Sequence, residues 1–362
     1  MIINFLIIIQ EIMKKRYYNL DIIKAVAAIF IVFPHYQQLA GVEFAGINSY
    51  VGSFYLGNLV ELFFLISGFV MAVSDKKGKS VFRKFADKCI RIYPSTILAC
   101  SALIITVYTG YFLLGEFIHT SVDYSNIVTI ISSYLLIFSG WFLNIGLGIN
   151  NPTWYLCVLL LCYIIYYAIE VISKKTRINV NIFYFLVFLI SFIGKYFGES
   201  RLFFFMVNKR GYVCFFLGVL LYNLIVKRLT DKQMWLIIIG LAVITAIGIW
   251  RWGIGSWGVL VLFLFPLLIL VAVNIRQLSI PILKTWGGAS YQVYLWHIPS
   301  FIFLRLIGRL TGIQITHSYL TMVIFTIFVE IVALFIYKYY EIPVTKRLKG
   351  WLEARDGNQK ER

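Results

Sequence analysis

Apolar residues fall into ten runs with almost no charge: 20–39, 51–73, 92–114, 153–172, 182–198, 211–226, 234–250, 257–273, 287–307 and 319–338. The hydrocarbon core of a bilayer asks for about 20 such residues in a helix. Several runs fall short by a few, so their ends are open. In lipid each must be helical, because every backbone amide and carbonyl needs a partner within the segment. The pattern predicts an all-α polytopic helix bundle of about ten transmembrane helices. An eleventh run, 127–143, needs a decision. Were it to cross, Lys174, Lys175 and Arg177 would fall on the outer side. As a re-entrant or interfacial segment it lets the basic loops line up.

In that arrangement 25 Lys and Arg lie on one side and 7 on the other, with Lys24 inside the first span. Positive loops stay cytoplasmic, so both termini are expected inside. Ile2 to Ile9 is apolar but too short to span and lacks the flanks of a signal peptide. It reads as interfacial, and translation starting at Met13, before Lys14, Lys15 and Arg16, is the alternative. The expected organisation is an N-terminal cytoplasmic or interfacial segment 1–16, a membrane domain 17–347 and a cytoplasmic tail 348–362, polar and frayed from Trp351.

Composition narrows the class. Hydrophobic residues make up 60% of the 362 residues and charged ones 14%, too few to coat a water-facing domain. The net charge of +17 could point to nucleic acid. Its confinement to short loops between apolar runs points instead to membrane orientation. Cys100, Cys157, Cys162 and Cys214 lie in apolar runs and Cys89 in the basic loop 76–91. They form no metal set with histidines and no disulfide framework. Walker loop, dinucleotide fingerprint and His-Glu-x-x-His are absent.

Ionisable groups inside spans are costly and mark candidate sites. The first span carries Asp21, Lys24 and His35. Eleven steps of about 100° bring Lys24 and His35 within about 20° of the same face, about 16 Å apart along the axis. Asp21 lies one turn below Lys24 on that face. At the end of the basic loop, Lys88 and Arg91 stand at i and i+3. They anchor the chain at the membrane surface, or bind the phosphates of a cytoplasmic cofactor. Glu61, in the second span, has no easy account as packing and points to a polar cavity. Ser67 and Gly68 beside it suit helix packing. Ser290, Tyr294 and His297 follow i, i+4, i+7 along one face of the ninth span, as helix glue or as a cavity wall. His119 and His317 fall in outer loops and need no special role.

These residues resemble the acyltransferase-3 family of integral-membrane acyltransferases. Its first-span pattern Leu-Asp-x-x-Arg-x-x-Ala, with a His eleven residues after the Arg, is met by Leu20 to Ala27 and His35. Phe-Phe-x-x-Ser-Gly-Phe is met by Phe63 to Phe69, and Arg-x-x-Arg-Ile-x-Pro by Lys88 to Pro94. Trp-x-Leu is met by Trp154 to Leu156, Ser-Tyr-x-x-Tyr-Leu-x-His by Ser290 to His297, and Glu-x-Pro by Glu341 to Pro343. The resemblance runs from about residue 17 to 347. Lys24 and Lys88 replace the family's Arg, which keeps the charge and loses the bidentate fork. Cys157, Val158 and Leu159 stand where many members have a Glu. No esterase-like domain is expected after the membrane domain.

The resemblance implies a multi-pass protein of the bacterial cytoplasmic (inner) membrane. It implies acetyl-CoA as donor, no metal, and a hydroxyl of a surface glycan or lipid-linked sugar as acceptor. His35 would act as general base or acyl relay, supported by Lys24 and Asp21. Lys88 and Arg91 would hold the donor, and Glu61, Ser67, Trp154, Ser290, Tyr294 and His297 would line the substrate cavity. The competing reading is a transporter or flippase for a glycan or lipid-linked precursor, against which no inverted repeat is visible.

Overall fold

The computed structural model describes residues 16–50, 55–74, 79–142 and 146–360, with side chains to 355. The apolar segment Ile2 to Ile9 and the start at Met13 lie outside the described residues. Twelve helices are named here: α1 Tyr18–Ala40, α2 Leu59–Ser74, α3 Val81–Leu114, α4 Ile127–Leu135, α5 Trp154–Thr176, α6 Val180–Phe197, α7 Met206–Leu220, α8 Asp231–Trp252, α9 Trp257–Asn274, α10 Pro281–Thr311, α11 Tyr319–Ile336 and α12 Ile342–Lys360. The described residues form no strand, and nine of their helical segments are long and apolar enough to cross a membrane. The chain is an all-α, multi-pass membrane bundle. Helix α10, the ninth apolar run of the sequence, is 31 residues long but carries too many polar groups to join that set. Its neighbours explain this: α1, α3 and α11 pack along it, and Ser290, Gln292, His297 and Ser300 are buried among them.

A second group forms around α7, against which α2, α5 and α6 pack. Gly68 and Gly218 bring α2 and α7 into backbone contact. A Cβ on Gly68 would lie 1.9 Å from the Phe215 carbonyl oxygen, and one on Gly218 2.0 Å from that of Leu65. The hairpin α8–α9 lies at the periphery. Leu236, Ile239, Val243, Ile244 and Ile247 of α8 are exposed, as residues facing lipid should be. All five cysteines are free, four buried and Cys89 half-buried.

Residues 76–91 are not wholly a loop. From Val81 they are the first turns of α3, capped by the Ser80 hydroxyl, which accepts from the Arg83 amide at 3.2 Å. Their charges pair with one another, Lys79 with Asp87 at 2.7 Å and Arg83 with Asp87 at 3.6 Å, and the helix continues past the apolar run. The tail expected to fray is likewise helical to Lys360. Two five-residue π segments, Leu260–Leu264 and Tyr337–Glu341, each end two residues before a proline, Pro266 and Pro343. A proline ring clashes with the carbonyl four residues back, and a widened turn relieves this.

The eleventh run forms α4, nine residues long, about 14 Å and too short to span. Its partners on α3 show that it dips inward. The Tyr108 hydroxyl donates to the Tyr124 carbonyl (2.8 Å), Ser101 pairs with Tyr134 (2.8 Å), and the Tyr93 hydroxyl donates to the Leu135 carbonyl (2.9 Å). From Tyr108 to Tyr93 is about 22 Å along α3. The chain turns at Leu136 in the left-handed region (φ 57°). It returns only as far as Asn150, whose side-chain amide donates to the Leu295 carbonyl at 2.8 Å. Helix α5 therefore starts inside the bundle, beside α10.

Candidate active site

At the basic end, Lys24 pairs with Asp21 at 2.7 Å, and Arg16 meets the same carboxylate at 2.9 Å. Gly287 lets α10 lie against this pair, since a Cβ there would sit 2.7 Å from the Asp21 Cβ. Arg91 joins the group from α3. It is exposed to solvent, yet lies within electrostatic reach of Glu341, Tyr163, Asp21 and Tyr291 and of Lys24. Among the described residues it makes no hydrogen bond or salt bridge. Lys88 stands beside it, its Nζ 5.5 Å from the centre of the Tyr163 ring.

The wall behind Arg91 is a buried polar network. Gln292 donates to Ser95 Oγ at 2.9 Å and to Glu341 Oε2 at 2.6 Å. The Tyr291 hydroxyl lies 3.0 Å from the Ile92 carbonyl and 2.9 Å from Thr96 Oγ1. These bonds fix α3, α10 and the π segment before α12 to one another.

About 16 Å further along α1, His35 faces His297 of α10, ring centres 4.8 Å apart. His35 is half-buried and His297 is 1% exposed. His297 Nδ1 lies 3.2 Å from the Val293 carbonyl. A carbonyl only accepts, so Nδ1 carries the proton and Nε2 is left basic. Nε2 is buried and has no partner.

The rest of the predicted α10 stripe divides by role. Ser290 donates to the Gly287 carbonyl of its own helix at 2.9 Å. Tyr294, its ring 6.1 Å from His297, donates its hydroxyl to the Pro152 carbonyl and so ties α10 to the start of α5. Ser67 Oγ meets the Tyr155 hydroxyl at 2.9 Å, a bond between helices.

Glu61 is apart from the histidines, in the first turn of α2. It is 1% exposed, and its Oε1 accepts from Arg210 Nε at 2.5 Å and from Trp257 Nε1 at 2.8 Å. The Arg210 guanidinium lies 5.7 Å from the Trp154 ring centre. The predicted residues thus form three groups: Asp21, Lys24, Lys88 and Arg91 at the basic end; His35, His297 and Tyr294 in the middle; Glu61 and Trp154 at the far end. Ser67 and Ser290 serve packing.

Sequence reasoning missed Arg210, Trp257 and Gln292. A buried carboxylate demands a cation, so Glu61 signalled a partner without naming it. The outer histidines are also engaged. His317 Nδ1 lies 2.8 Å from the Tyr36 hydroxyl, at the wall of a cavity of about 790 Å³ between α10 and α11. His119 Nδ1 lies 2.5 Å from the Tyr124 hydroxyl, and burial, with Arg305 nearby, lowers its pKa to about 4.

Within a membrane bundle, a half-buried histidine facing a buried one and aligned over a cluster of cations is a candidate catalytic arrangement. The acyltransferase domain of the acyltransferase-3 family matches residues 17–338, nearly the whole chain, and the chain belongs to that family. It is an acyltransferase. A Rhizobium radiobacter protein described as protein 2 in picA locus is 30% identical over 155 residues, which cover 39% of this chain and 75% of that protein. No solved structure matches the chain.

Proposed function

We propose that the protein is an O-acyltransferase of the bacterial inner membrane. It moves an acetyl group from acetyl-CoA to a hydroxyl of a cell-surface or exported polysaccharide sugar. The observation that carries this reading is the His35–His297 pair, ring centres 4.8 Å apart, on the α1 stripe that begins at Lys24. The cations fit a donor rich in phosphate. Arg91 has a free guanidinium fork for phosphate oxygens, and Lys24 and Lys88 add positive charge beside it. The distance from these cations to His35 is one that an extended pantetheine arm can cover.

When bound, the donor supplies a thioester-activated acyl carbon. His35 takes the proton from the attacking sugar hydroxyl, which is otherwise a poor nucleophile at neutral pH. The new C–O bond forms, the C–S bond breaks, and the proton passes from the imidazole to the departing thiolate. The Asp21–Lys24 pair holds the foot of α1 against α10. His35 acting as the acyl carrier itself uses the same groups in two steps.

The test is transfer of labelled acetyl from acetyl-CoA to surface glycan in cells with wild-type protein, His35→Ala protein or none. Label only with wild type is expected. Equal label in all three would remove the protein from that acetylation. Full activity in a correctly inserted His35→Ala variant would remove His35 from the chemistry.

A further inference from the structure

Glu61 Oε1 is held by Arg210 and Trp257, but its Oε2 is buried and has no partner. An acceptor atom in this state carries a cost of about 1–3 kcal/mol unless something donates to it. Around it stand Trp154, with Arg210 over its ring at 5.7 Å, and Trp257, with Lys195 Nζ 4.0 Å from its ring centre. Trp154, Trp257, Arg210 and Lys195 are all partly exposed, while Glu61 between them is buried. Lys195 has no carboxylate partner among the described residues. The group comes from the start of α2, α5, α7 and α9 and the end of α6. From Glu61 to Ser74, where α2 reaches the basic end, is about 20 Å.

We infer that this group is the acceptor subsite, and that it binds a sugar ring by its hydroxyls. The inference rests on the acyltransferase reading above. One hydroxyl donates to Glu61 Oε2, and the oxygen of a neighbouring hydroxyl accepts from Arg210. The indole faces of Trp154 and Trp257 cover the apolar C–H face of the ring. A site built around a hydroxyl rejects an analogue lacking it far better than an apolar pocket rejects a misfit. The subsite lies at the opposite end from the cations assigned to the donor, with the histidine pair between them. Phe63, two residues after Glu61, has its ring 6.2 Å from Tyr294, whose ring is 6.1 Å from His297.

The test is binding without any donor, so it does not depend on acyl transfer. Purified full-length protein in nanodiscs is titrated with soluble tri- and tetrasaccharides of hexose, N-acetylhexosamine and hexuronate backbones, and tryptophan fluorescence is read. At least one series is expected to bind wild type. Its affinity should fall about tenfold or more in Glu61→Gln and in Trp257→Phe, the latter keeping one aromatic ring and losing the indole N–H together with the second ring. His35→Ala should bind as wild type does. If no saccharide binds wild type, or if Trp257→Phe and a folded Glu61→Gln both bind unchanged, the subsite is wrong. Loss of acyl transfer in His35→Ala with sugar binding intact separates this inference from the transferase reading.

Discussion

Arg91 and Lys24 carry the same charge at the same end of the bundle, but only Lys24 has a carboxylate at 2.7 Å. A charge-assisted hydrogen bond contributes roughly 1.5–3 kcal/mol. Arg91→Ala is therefore expected to raise KM for acetyl-CoA about tenfold or more, with the smaller change in kcat. Arg91→Lys should recover part of the loss, since it restores charge without the fork. Steady-state kinetics in nanodiscs check this, and an unchanged KM would remove Arg91 from donor binding. His119 gives a second outcome. Its folded pKa of about 4 lies below the ordinary value near 6.5, so the folded chain binds fewer protons than the unfolded chain between those values. Stability should be full above about pH 6.5 and fall as pH drops toward about 4, by up to about 3 kcal/mol. His119→Gln should flatten this part of the melting-midpoint profile. At this scale the sequence exposed His35, Lys24 and Arg91 because each is costly where it stands. It named His297 without pairing it to His35 and missed Arg210 as the partner of Glu61, because these pairs meet across separations of more than a hundred residues.

Helices reveal themselves by apolar length, and ten runs could be located that way, nine of them matching helical segments long and apolar enough to cross a membrane. Where a helix is wrapped by others the same signal weakens, as in α10, whose polar face is paid for by partners on α1, α3 and α11. Helix ends were less legible. The apolar run starting at 92 belongs to a helix that begins at Val81, since water supports a charged helix as well as lipid supports an apolar one. The re-entrant path of α4 was legible only through the charge balance of the flanking loops. Its depth depends on bonds such as Tyr93 to Leu135, which no local pattern encodes. The glycine contact between α2 and α7 yields an element-scale outcome. With a Cβ at 1.9 Å from the Phe215 oxygen, Gly68→Ala must push the helices apart and cost about 1–3 kcal/mol or more. Gly218→Ala meets the same obstacle from the other side. Each should lower the melting midpoint in detergent, and the double variant should lose less than the sum, because one displacement relieves both clashes. Strict additivity would mean that the two glycines do not share a contact.

On the scale of the whole molecule, the charge bias and the three residue groups make one claim: donor and acceptor approach from opposite faces. Cys89 offers a way to test it without substitution. It lies between Lys88 and Arg91, and it is the half-buried cysteine while the other four are buried. A membrane-impermeant maleimide should modify Cys89 and spare the rest. If positive loops are cytoplasmic, intact cells should show no labelling and inside-out vesicles should. Acetyl-CoA bound across Arg91 and Lys88 would cover the thiol, so labelling in those vesicles should slow several-fold as acetyl-CoA approaches saturation. Soluble oligosaccharides added to the same vesicles should not protect, because their subsite faces the lumen, about 20 Å away along α2. Labelling in intact cells would reverse the orientation. Labelling in inverted vesicles that ignores acetyl-CoA would move the donor away from α3, and with it the cation cluster on which the proposed chemistry is aligned.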